Sequence, residues 1–171
     1  SFGYNAGDFF SDMDYINYNG SLESDAIHYF EATKNNDVLD GGIAIFAAGN
    51  DAKPYCAYPG ALSDVISVSA FGPDYLPAYY TNYGPGCNIT APGGEALLAP
   101  WTSRKSEVLS TWVSETSKGS ADYGYMQGTS MACPHVSGIV ALGLSYAKKL
   151  GKTFTVSEFK NLLLASTNDF E

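Results

Sequence analysis

At 171 residues, with 45% apolar residues and 13 tyrosines, the chain is long enough to bury a core and is not composed like a disordered segment. Its 18 acidic and 9 basic residues give a net charge of −9, which argues against nucleic acid or an anionic membrane as a partner. No run approaches the roughly 20 apolar residues that span a bilayer, and no secretory signal opens the sequence.

An acidic, aromatic stretch over 7–20 reads as a loop. A helix follows over 21–37, with Ser21 as its N-cap and Leu22, Ala26 and Phe30 on one face. Gly41-Gly42 punctuates the join to a strand over 43–48, whose unbroken apolar run predicts burial on both faces. The loop 51–64 leads to a second strand, 65–70, and a third near 88–90 runs into Ala91-Pro92. After a long connection, 94–108, the segment 108–127 reads as an extended hairpin with Gly119 near its tip. The apolar positions Val136, Ile139, Val140, Leu142 and Leu144 predict a buried helix, with Pro134 in its first turn, where the missing N–H has no helical partner to lose. A last helix opens on the capping box Thr155-Val-Ser-Glu158 and ends near Ser166. Helices alternating with strands through short loops predict an α/β fold, a parallel sheet flanked by helices. Without internal repeats or low-complexity stretches, residues 1–171 read as one domain, incomplete at both ends.

The chemistry concentrates in Gly128-Thr-Ser-Met-Ala-Cys-Pro-His-Val-Ser-Gly138. Ser130 falls at a helix N-terminus, where first-turn N–H groups and the positive end of the dipole converge. A hydroxyl placed there can attack a carbonyl while neighbouring amides receive the oxyanion. This eleven-residue run closely resembles the nucleophile signature of the subtilisin-like serine peptidases, the subtilases. Three further blocks resemble the same family, in the family's order. They are Ser1-Phe-Gly3, then Ile43-Ala-Ile-Phe-Ala-Ala-Gly-Asn50, then Tyr79-Tyr-Thr-Asn-Tyr-Gly-Pro85 followed by Ala91-Pro-Gly93. The likeness covers nearly the whole chain and implies a three-layer, subtilisin-like α/β architecture, of which this is the C-terminal part.

The resemblance implies that Ser130 is the nucleophile, with Asn50 and the Ser130 backbone N–H as the two donors of an oxyanion hole. It maps Ser1, Phe2 and Gly3 onto the backbone run lining the cleft, and Gly3, Ala48, Gly49, Tyr58 and Gly60 onto the walls of the primary specificity pocket. There an extended polypeptide substrate would pair through its backbone. Thr129 either assists the hole or shapes the turn, and the second reading is favoured. Asp51 reads as a solvated residue near the pocket rim.

The departures matter equally. Subtilases place Asp, then His, then Ser along the chain, and only His28 and His135 occur here. His28 lies in a helical pattern without a His-Gly-Thr context, and His135 follows Ser130 by five residues. A serine without a base is a poor nucleophile. The expected partner is therefore the missing N-terminal part of the catalytic domain, and the isolated chain is expected to be inactive. Self-association through an unpaired sheet edge is the other expected contact. Among rivals, an α/β-hydrolase fits poorly, because Ala132 occupies the last Gly of G-x-S-x-G. A non-catalytic subtilase-like binding or structural domain stays open. Cys133 reads as a small buried apolar residue, while pairing of Cys56 with Cys87 also stays open. No cofactor or metal is expected. Zinc spacing is absent, the family's cation site would need carboxylates where Gly86 and Asn88 stand, and Asp12-Met-Asp14 with Asn17 and Asn19 lacks EF-hand spacing, so calcium is disfavoured. An extracellular or periplasmic location follows from the resemblance alone.

Overall fold

Ile66-Ser-Val-Ser-Ala-Phe71 alternates apolar and polar side chains, and this strand, β2, is the centre of a parallel sheet ordered β1-β2-β3, with β1 at Ile45–Ala47 and β3 at Ile89–Pro92. The structure, a computed structural model, describes residues 8–97, 106–113 and 121–168. Ile45 pairs with Ile66, and Val68 with Ile89. The alternation decides what each face meets. Ile66, Val68 and Ala70 face helix α3, Thr129–Lys149, where Ala132, Cys133, Val136 and Val140 complete one core. Val68 and Val136 are 0% and 1% exposed, and burying each stabilises the fold by about 1.5–3 kcal/mol. Ser67 and Ser69 face the opposite side, where their hydroxyls donate to Asn88 Oδ1 at 3.0 Å and to the Asn82 carbonyl at 2.8 Å. Phe46 also turns from α3, joining Tyr15, Ile27, Tyr58, Leu62 and Val65 in a second core beneath helix α2, Ser21–Ala32. Helices cover both faces of the sheet, as a three-layer α/β arrangement requires.

Several boundaries differ from expectation for identifiable reasons. Ser11 accepts from the Asp14 N–H at 3.2 Å and caps α1, Asp12–Tyr15. A π-helical turn, Ile16–Gly20, carries α1 into α2. The expected loop is thus helical from Asp12, and Ser21 lies inside a continuous helical run instead of capping it. α2 stops at Ala32, short of 37, because the chain turns where Asn36 Oδ1 accepts the N–H groups of Val38 and Leu39 at 2.8 and 2.7 Å. β1 is shorter than expected, and its three residues are half-buried at an edge of the described sheet, not buried on both faces. Pro134 is the sixth residue of α3, in its second turn and not its first, so the helix forgoes one i→i−4 bond there. α3 is also buried on one stripe only. Its outer face carries Ile139, Leu142, Tyr146 and Leu150, between 53% and 72% exposed.

The hairpin forms as expected, with β4, Val108–Val113, antiparallel to β5, Ala121–Met126. Gly119 lies outside the described residues. Helix α4, Val156–Ala165, carries the expected capping box, in which Thr155 Oγ1 accepts from Glu158 N–H at 3.1 Å and the Glu158 carboxylate accepts from Thr155 N–H at 2.8 Å. Phe159 and Leu163 of α4 enter the α3 core, and Lys160 pairs with Glu31 of α2 at 2.9 Å.

Candidate active site

β1 runs out into Ala48-Gly49-Asn50 at the carboxyl end of the parallel strands, the end where open α/β sheets bind ligands. The N-terminus of α3 arrives at the same place. Gly128 is its N-cap, with φ of 144°, followed by Thr129 and half-buried Ser130. The carbonyl of Gly128 accepts from the N–H groups of Met131 and Ala132 at 2.9 and 3.2 Å, which closes the first turn.

Thr129 orients Asn50. Its backbone N–H and its hydroxyl both donate to Asn50 Oδ1, at 2.8 and 2.9 Å. A backbone N–H can only donate, so the atom facing it is the amide oxygen and Nδ2 occupies the other branch. A Cβ built on Gly128 would stand 3.7 Å from Asn50 Oδ1, 3.8 Å from Nδ2 and 3.7 Å from the Ser130 nitrogen. The Asn50 amide and the start of α3 therefore flank the same bare glycine, at a φ that L side chains rarely adopt. Thr129 does more than shape a turn, the role favoured from sequence. It is fully buried, and its Oγ1 also accepts from the Gly49 N–H at 3.3 Å.

The pocket residues fall into two groups. Ala48, Gly49 and Gly60 lie in adjacent strips of backbone: the Ala48 carbonyl accepts from Ala57 N–H at 2.9 Å, and a Cβ on Gly60 would lie 3.1 Å from the carbonyl oxygens of Ala47 and Ala57. Tyr58 shares that backbone strip, but its side chain is buried in the second core. There it stacks on Tyr15 at 4.7 Å and donates to Asp12 Oδ1 at 2.8 Å. Burial and this bond to a carboxylate raise the Tyr58 phenol well above its ordinary pKa. Asp51 is exposed. Ser1, Phe2 and Gly3 lie outside the described residues.

Two residues without a sequence assignment hold this region together. Asn82 is 0% exposed, and its Oδ1 accepts from the Asp51 and Lys53 N–H groups, each at 3.0 Å. Its Nδ2 donates to the Ala48 carbonyl at 3.0 Å, and its N–H donates to the Gly49 carbonyl at 3.0 Å. Tyr80, also buried, accepts from the Gly128 N–H at 2.9 Å and directs its own O–H at the Gly93 and Gly94 carbonyls. Both belong to the Tyr79–Pro85 block, yet a bonding partner 34 or 48 positions away leaves no local pattern to read.

Neither histidine stands beside Ser130 as a base. His28 is on α2, across the sheet from α3, paired with Asp64 at 2.6 Å. His135 Nδ1 is 2.8 Å from the Met131 carbonyl, one turn back along α3. Cys133 packs in the α3 core. Cys56 and Cys87 are thiols within hydrogen-bonding reach of one another, and the Cys56 N–H donates to the Pro85 carbonyl at 2.9 Å. Hydrogen bonding with Cys56 lowers the Cys87 pKa to about 7, while the same contact and burial push the Cys56 thiol up. The Asp12 carboxylate is engaged by Tyr58 and by Ser63, whose hydroxyl donates at 2.8 Å. Among the described residues no three His, Cys, Asp or Glu side chains cluster in a way that could hold a metal ion.

Comparison with known proteins shows the family of the chain. The sequence model of the Subtilase family, peptidase S8, matches residues 6–170. The chain is 36% identical over 131 residues to an extracellular basic protease of Dichelobacter nodosus, across 76% of this chain and 20% of that protein. It is 40% identical over 115 residues to an extracellular protease of Xanthomonas campestris pv. campestris, across 66% of this chain and 18% of that one. A solved protease structure from Pseudoalteromonas arctica superposes with a TM-score of 0.66 at 37% identity, over 77% of this chain and 37% of its own. The chain spans about a fifth of the length of the curated relatives it matches.

Proposed function

The chain belongs to the subtilase family, and from that premise we propose that the protein containing it is a serine endopeptidase in which Ser130 is the nucleophile. The observation that carries the reading is the orientation of Asn50: two bonds from Thr129 to Oδ1 leave Nδ2 on the free branch of an amide that flanks bare Gly128, as does the backbone nitrogen of Ser130. In the proposed reaction Ser130 Oγ attacks the scissile carbonyl and passes its proton to an imidazole that this chain does not supply. The carbonyl oxygen becomes an oxyanion between Asn50 Nδ2 and the Ser130 N–H. Collapse of the tetrahedral adduct breaks the C–N bond, the imidazolium protonates the leaving amine, and water then hydrolyses the acyl-enzyme by the same route. Ala48, Gly49 and Gly60 would offer backbone to the substrate, together with Ser1, Phe2 and Gly3.

The base and its orienting carboxylate would come from the part of the domain that relatives possess beyond the matched region, so the isolated chain would not turn over substrate. Extracellular relatives support secretion of the parent protein. The test is covalent labelling of the full-length protein with a fluorophosphonate, followed by peptide mapping. The reading requires a stoichiometric adduct on Ser130. An adduct elsewhere, or none, would contradict it and favour a non-catalytic domain.

A further inference from the structure

The two proposed oxyanion donors belong to segments joined by the Thr129–Asn50 bond across 79 positions of sequence, and a third segment sets their spacing. Tyr80 touches both sides. Its backbone carbonyl accepts from the Ala52 N–H at 2.9 Å, two residues past Asn50, and its hydroxyl accepts from the Gly128 N–H at 2.9 Å, two residues before Ser130. Asn82 secures the first side independently through Ala48, Asp51 and Lys53. The Tyr80 hydroxyl has one proton, shared between the Gly93 and Gly94 carbonyls at 2.9 and 2.6 Å. The phenol is thus fixed at both ends, with burial raising its pKa so that it stays a donor through neutral and alkaline pH. Its ring packs within the α3 core and edge-on against Tyr79 at 5.3 Å.

We propose that Tyr80 is a positioning residue whose hydroxyl sets the gap between the Asn50 amide and the Ser130 N–H by holding Gly128. The proposal rests on the peptidase reading above. It differs from a purely structural role because the Gly128 N–H has a second acceptor, the Gly93 carbonyl at 3.0 Å. Removing one hydroxyl leaves that backbone bond and the ring packing in place. What is lost is the second restraint on a glycine that no side chain steadies. With its N–H left to a single acceptor, Gly128 is held less tightly, the Ser130 N–H shifts relative to Asn50, and a misaligned donor is felt chiefly in the transition state.

The experiment compares wild type with Tyr80→Phe in the full-length protein, using a chromogenic peptide, a fluorophosphonate active-site titration and hydrogen exchange at Gly128. The expected result is a kcat about tenfold lower, less than the roughly 10²–10³-fold of removing a donor outright. KM should hold within about twofold, the mark of an interaction made only in the transition state, and the Gly128 amide should exchange faster. An unchanged kcat with wild-type labelling overturns the proposal alone. So does a lower kcat with Gly128 exchange unaltered, or one that merely follows a lower melting temperature. Wild-type protein that takes no label at Ser130 defeats the peptidase reading, and this proposal with it.

Discussion

Asn50 is exposed, yet its amide has one orientation, because Thr129 supplies two donors to a single oxygen. Asn50→Ala in the full-length protein should therefore lower kcat by about 10²–10³, or 2.7–4 kcal/mol, with little change in KM. Steady-state peptide hydrolysis checks this, and a loss confined to KM would contradict it. Cys87 offers a second measurement at this scale. Its pKa of about 7 puts the thiolate within reach at neutral pH. Alkylation of reduced protein should rise through pH 7 at Cys87, while buried Cys56 stays unreactive. Equal labelling of both would contradict the assignment. The proposed roles of Asn50 and Ser130 could be drawn from sequence because each sits in a contiguous motif. Asn82 and Tyr80 were not, since their meaning lies in bonds to residues far along the chain, and Thr129 was under-read for the same reason.

Among the elements, the stretch before α2 shows how a local signal can be outweighed by composition. Ser11-Asp-Met-Asp14 is a serviceable helix start, with Ser11 as cap and two acids in the first turn. The density of Asn, Gly and Tyr that follows reads as a loop, yet Tyr15, 1% exposed, anchors the segment by stacking on Tyr58. Asp12 joins the two. Its burial acts to raise its pKa, but the hydrogen bonds from Tyr58 and Ser63 outweigh burial and hold it below the ordinary value. A carboxyl depressed by folding stabilises above its unfolded pKa, and that stabilisation is lost as pH falls through the lower folded value. Asp12→Asn should cost about 1–2 kcal/mol at pH 7. In thermal melts the gap to wild type should close below about pH 4; a gap that persists in acid would contradict the assignment.

At the scale of the whole molecule, fold class was readable because helices alternate with strands through short loops, the pattern of a parallel sheet flanked by helices. The one-sided burial of α3 was not. Its apolar residues surround the helix, so periodicity alone predicts burial all round, whereas the sheet covers only the stripe through Ala132, Val136 and Val140. The remaining face carries Ile139, Leu142, Tyr146 and Leu150 at successive helical turns, exposed here. On the proposed reading, the described residues offer a hydroxyl, an amide and a helix terminus to an oxyanion, and the base would come from elsewhere in the protein. The most direct measurement is peptidase activity, in parallel, of the full-length protein, its Ser130→Ala variant and the purified 171-residue chain. The account predicts turnover by the first alone. Turnover by the isolated chain that Ser130→Ala abolishes, or activity of the full-length protein that survives Ser130→Ala, would contradict it.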